Sequence, residues 1–192
     1  MNRLILTVLL MVLTVPALAE AKAGKTPQAT LDAYFSVLTT RDIDGISNLM
    51  TSGSMSRLRA LMIEALQFEK ARGGSALQQR FFGRPVSMEE IRGTPTALYL
   101  EQFAREVLGA ANMQHFFVDN RRILGQVKES DDMVHVVVRL FMHQEARRNS
   151  DILVYTLINE DGQWKLEFPP TIRQALAVFE ATLRQQQARN IQ

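Results

Sequence analysis

The second half of the chain keeps a period of two. From Arg121 onward one set of alternate positions reads Ile123, Gly125 and Val127, then Val134, Val136, Val138, Leu140 and Met142, a spacing that suits strands and no helix. In LVYTLINEDGQWKLEFPP, Leu153 to Pro170, the dipeptide Asp161-Gly162 is a two-residue hairpin signal, because both positions accept the positive φ that such turns demand. Pairing outward from it puts Asn159 opposite Trp164, Leu157 opposite Leu166 and Tyr155 opposite Phe168. One hairpin face then carries Leu153, Tyr155, Leu157, Trp164, Leu166 and Phe168, and the other carries Lys165 and Glu167. Pro169-Pro170 ends the strand. A meander with one apolar face needs a second layer to cover it.

The first half supplies that layer. Thr26-Pro27 is an N-cap followed by a first helical residue, and Leu31, Tyr34, Phe35 and Leu38 fall on one helical stripe. TTRDIDG breaks this helix before a short second one with Ile46, Leu49 and Met50. MSRLRALMIEALQFEKAR, Met55 to Arg72, places Leu58, Met62, Ala65 and Leu66 at helical spacing and stops at Gly73-Gly74. The segment 75–86 reads equally as a strand or a helix end. Ser87 with Glu90 forms a capping box, and Thr94-Pro95 opens a helix striped by Leu100, Phe103 and Val107. After the sheet, Thr171 with Gln174 caps a last amphipathic helix, 170–192, striped by Ile172, Leu176, Phe179 and Leu183.

The N-terminal MNRLILTVLLMVLTVPALAEAKAG sets Arg3 before an apolar run, Leu4 to Val15, then Pro16 and Ala17-Leu18-Ala19. This is the pattern of a secretory signal peptide over 1–19, cleaved after Ala19. The run falls short of the roughly 20 residues that span a bilayer, so no transmembrane segment is expected after signal cleavage. The chain has no cysteine, which excludes a lipidated cysteine, disulfides and thiolate zinc sites. The expected location is the periplasm, or the medium. Removing Arg3 from 22 basic residues leaves 21 against 20 acidic ones, a balance that gives nucleic-acid binding no support. Arg57, Arg59, Arg72, Arg80 and Arg84 suit a carboxylate or phosphate ligand in principle, and scattered surface charge is the plainer reading.

Chemical motifs are sparse. There is no G-x-S-x-G elbow and no glycine-rich phosphate loop after a strand. His135 and His143 share a strand face but stand eight residues apart, and His115 has no visible companion, so neither a metal nor another cofactor is expected. Asp42, Asp44, Asp131 and Asp132 sit at turns, where carboxylates bond local backbone, and Glu89-Glu90 opens a helix. Met50, Met55, Met62 and Met113 fill core gaps or line an adaptable apolar pocket.

Helices first, then an antiparallel meander, is an α+β layout: N-terminal helices packed on a curved sheet, 26–168, with an added C-terminal helix. With its opening pair ATLDAYFSVLTTRDIDGISNLM, Ala29 to Met50, and its final strand DGQWKLEF, the chain resembles the nuclear-transport-factor-2-like superfamily, a cone-shaped α+β fold. The resemblance implies a pocket between the concave sheet face and the helices, and dimerisation through the opposite face. It implies a small apolar ligand, a lipid included, held by Tyr34, Phe103, Tyr155 and Trp164 in an exported, non-enzymatic binding module. Tyr34 also resembles the oxyanion-donating tyrosine of ketosteroid isomerases, with Asp42 at the matching spacing. The carboxylate base such an enzyme needs is missing from TSGSMSRLRALM. An isomerase or cyclase using Tyr34 is the alternative, as is an accessory subunit of a cell-envelope complex. The outer strand residues Met133, His135, Val137, Arg139, Phe141 and His143, with Ile152, Val154 and Ile158, are too apolar to face water alone. Either a homodimer partner or the terminal helix is expected to cover them.

Overall fold

The computed structural model describes residues 22–40, 43, 45–110, 117–144 and 147–189. The expected leader 1–19, Asp42, Asp44, Met113 and His115 lie outside the described residues. The fold is α+β. Helix α1 spans Pro27–Thr40, and Thr26 Oγ1 accepts the Ala29 N–H at 3.2 Å, as an N-cap should. Gly45, at φ 77°, turns the chain into the 3-10 turn Ile46–Leu49. Thr51 then caps α2, Ser52–Ala71, by accepting from Ser54 N at 3.2 Å.

The segment with two sequence readings is a helix. α3 spans Ala76–Phe82 and ends at Gly83, φ 68°. Its N-terminal amides are satisfied from another element: the Glu69 carboxylate of α2 accepts from Leu77 N at 2.6 Å and Gln78 N at 3.2 Å. That pairing is tertiary and leaves no local sequence signature. α4, Met88–Gly93, carries its Ser87 cap at 3.1 Å from Glu90 N. α5 spans Thr96–Ala110, and the Tyr99 hydroxyl donates to Ile91 O at 2.7 Å, tying α5 to the end of α4.

Strands β1 (Phe117–Lys128), β2 (Met133–Gln144), β3 (Arg147–Glu160) and β4 (Gln163–Leu166) form one antiparallel sheet in the order 1-2-3-4. Alternation works as expected in β2, where Val134, Val136, Val138 and Leu140 are buried. In β1 it does not. A register shift between Ile123 and Gly125 sets Ile123 beside Val138 but Gly125 beside Val137 and Val127 beside His135. One extra residue reverses the facing of everything beyond it, so Val127 lies on the outer face.

The hairpin forms with the expected register at Asn159/Trp164 and Leu157/Leu166, around Asp161 at φ 54° and Gly162 at φ 80°. Tyr155 and Phe168 do not pair. Beyond Leu166, Glu167 N still reaches Thr156 O of β3 at 2.9 Å, but the Phe168 amide leaves the sheet and donates to Ser54 Oγ at 3.2 Å. The other flank of β4 meets the start of the domain. Trp164 N donates to Gly24 O at 2.9 Å, Thr51 N donates to Leu166 O at 3.0 Å, and the buried Thr30 hydroxyl donates to Trp164 O at 2.7 Å while accepting from Gly24 N at 2.9 Å.

α6 spans Pro170–Ala188. The capping box expected from Thr171 and Gln174 is not made, since the helix begins at Pro170, whose fixed φ and missing N–H suit a first helical position. α6 packs on α2 and α5 and touches β3. Its Ile172, Leu176 and Leu183 join the same core as Leu31, Leu58, Leu100 and Leu157. The terminal helix therefore sits on the helical side and does not cover the outer sheet face.

Candidate functional site

Beside the buried Ile172, Leu176 and Leu183 of α6 runs a second, mixed stripe at helical spacing, in which Ala175, Val178 and Phe179 are flanked by Thr171, Gln174, Thr182 and Gln186. It borders two adjoining hollows. The first, about 580 Å³, lies between α3, α5 and α6 and is walled by Leu77, Phe81, Phe103, Ala175, Val178 and Phe179, with Arg80 at its edge. The second, about 490 Å³, lies between α2, α3 and α6 and is walled by Ala65, Phe68, Leu77, Phe179 and Leu183, with Arg72 and Glu69 at its edge. Leu77, Phe179 and Thr182 border both, so the hollows adjoin along α6 and are together termed the groove. Phe103 and Phe179 meet edge-on across it, ring centres 6.4 Å apart. Val178 is 62% exposed on its rim.

Polar groups around the groove are unevenly engaged. Glu69 has both carboxylate oxygens occupied by α3 amides. Arg72 stacks over Phe68 at 5.4 Å from the ring centre. Other arginines of the series lie at the surface with partners of their own: Arg57 pairs with Glu180 at 3.2 Å, Arg84 with Glu90, and Arg59 donates to Thr94 O at 2.7 Å and to Arg92 O. Hydrogen bonds from Arg184 first, then Arg57, hold the Glu180 carboxyl below the usual range.

Of the four residues expected to form a pocket, Tyr34, Phe103 and Tyr155 belong to one hydrophobic core and Trp164 packs against it. Tyr34 and Tyr155 are each 3% exposed and stand 6.0 Å apart in a packed triad with Phe35. Burial pushes both phenols far up, and for Tyr34 the neighbouring Tyr155 adds to the shift. Trp164 is half-buried on β4 beside the N-terminal lead-in. Phe103 alone borders the groove. The stretch after the second helical turn, where an isomerase would carry its base, is helix α2.

Met50 and Met62 are core, and Met55 packs against it. Among the described residues no cluster of three histidine or acidic side chains is placed to hold a metal. His135 is bonded instead to Thr156 Oγ1 at 3.0 Å and to Glu129. No helix among those residues is long and apolar enough to cross a membrane. On the outer sheet face Val127, Ile152 and Val154 are exposed by 61%, 54% and 46%.

Sequence reasoning named Phe179 as part of a stripe but missed Phe68, Leu77, Phe81 and Val178 as groove residues. A signal was present in the apolar excess of α6 and in LQQRFF, too apolar for a mere connection.

No protein-family model and no curated protein matches the chain. Among solved structures it is similar to the solution structure of a SEC-C motif containing protein from Rhodopseudomonas palustris, at 11% identity and a TM-score of 0.41, covering 76% of this chain and 78% of that one. A likeness this distant transfers neither residues nor function.

Proposed function

We propose that the protein is an exported, non-enzymatic binding module whose α6 groove takes an apolar or amphipathic ligand. The observation that carries this reading is the pair of adjoining, mainly apolar hollows between α6 and helices α2, α3 and α5, with Phe81, Phe103, Val178 and Phe179 in their walls. A trough lined by aromatic and aliphatic side chains with few polar groups fits a ligand recognised by shape and desolvation rather than by reaction chemistry. The Tyr34 hydroxyl, deep in packed aromatic rings, is poorly placed to meet a substrate, which weighs against the isomerase alternative.

The test uses the whole protein purified gently from its own compartment. Native mass spectrometry is expected to show a mass excess that disappears on denaturation, and the stripped protein is expected to take up the neutral dye Nile red. Val178→Gln, at an exposed position, should weaken dye binding about fivefold through lost apolar contact while circular dichroism stays unchanged. Protein that carries no excess mass and takes up no dye would end this reading.

A further inference from the structure

We infer that the groove's ligand is a single-chain fatty acid, with its carboxylate at Arg72 and its chain running along α6 toward Phe103. The inference rests on the binding reading above and adds the ligand's charge, its number of chains and its direction.

Three features support it. The first is length: the groove follows α6 from Thr171 to Gln186, about 22 Å at the rise of an α-helix. Two mainly apolar hollows set end to end along that length fit one extended chain better than a compact ring system. The second is charge. Of the three ionic side chains on its walls, Arg72, Arg80 and Glu69, two are cationic, and both oxygens of the one carboxylate accept from the amides of Leu77 and Gln78. The walls thus carry one more positive than negative side chain, and the carboxylate is turned toward α3. The third is the state of Arg72. Among the described residues its guanidinium has no ion-pair partner; it lies over the Phe68 ring with its donors uncommitted to a carboxylate. The amide side chain of Gln186 borders the same end.

A planar guanidinium fork matches a carboxylate in geometry and in single charge. A phosphate monoester carries close to two charges at neutral pH, and the second cation of the groove, Arg80, borders the other hollow. The chain would pass Phe68, Leu77 and Phe179 and end among Phe81, Phe103 and Val178.

The experiment compares dodecanoate, dodecanol and dodecyl phosphate by displacement of Nile red from the stripped wild-type protein and from Arg72→Gln. Dodecanoate is expected to bind the wild type most tightly. Arg72→Gln should weaken dodecanoate about tenfold, as loss of one charge-assisted contact does, and leave dodecanol unchanged. Equal binding of dodecanol and dodecanoate, tighter binding of dodecyl phosphate, or an unaltered preference in Arg72→Gln would overturn the fatty-acid inference and leave the groove reading intact. Failure of all three to displace the dye would remove the inference, and failure of the dye itself to bind would remove the groove reading with it.

Discussion

At the scale of single residues, Tyr34 and Tyr155 show how far burial alters a titratable side chain. Their rings pack on each other and on Phe35, and desolvation holds both phenols protonated well above the ordinary tyrosine range. The unfolded chain releases those protons near pH 10, whereas the folded one keeps them. The native state then binds more protons, so stability is full below about pH 10 and falls as pH rises beyond it. Each phenol should contribute a slope of about 1.4 kcal/mol per pH unit. Urea unfolding across that window is expected to be less pH-dependent in Tyr34→Phe than in the wild type. Identical slopes would mean that Tyr34 ionises freely in the folded protein. The sequence placed Tyr34 correctly on an apolar helix face; which rings would close over it depended on β3, more than a hundred residues away.

At the scale of elements, the β3–β4 hairpin was legible because its information is local. Asp161-Gly162 specifies the turn, and the turn specifies the register. Gly162→Ala should lower stability by about 1 to 2 kcal/mol, since a Cβ is strained at φ 80°, and thermal unfolding measures this directly. A smaller loss would show that the turn relaxes without harm. α3 and the β1 bulge were not legible. α3 needs the Glu69 carboxylate of another helix at its N-terminus, and the bulge is visible only once β2 fixes which residues oppose each other. The end of β4 was misjudged for a like reason, because Ser54 draws the Phe168 amide away.

At the scale of the whole molecule, α6 decides both the stability and the candidate site. It buries Ile172, Leu176 and Leu183 against α2 and α5, an apolar contribution of roughly 5 kcal/mol or more, which is comparable with the total stability of a domain. A chain ended after Pro169 should be insoluble or lack a cooperative melting transition. A truncated protein that melts cooperatively and keeps its solubility would instead make α6 a detachable docking element. The groove exists only through this packing, since one wall comes from α6 and the others from α2, α3 and α5. That explains why a pocket was expected between sheet and helices and only Phe103 among the four named residues borders the trough.

What the amino-acid sequence determined by itself was local. It specified helical and strand periods, the caps at Thr26 and Ser87, the hairpin turn and an α+β class, each encoded within a few neighbouring residues. The tertiary structure decided which face of α6 meets the core, which arginines are already engaged, and where packing leaves a gap. Those outcomes depend on residues distant in sequence competing for the same space and the same hydrogen bonds, and no short window of the chain contains both competitors.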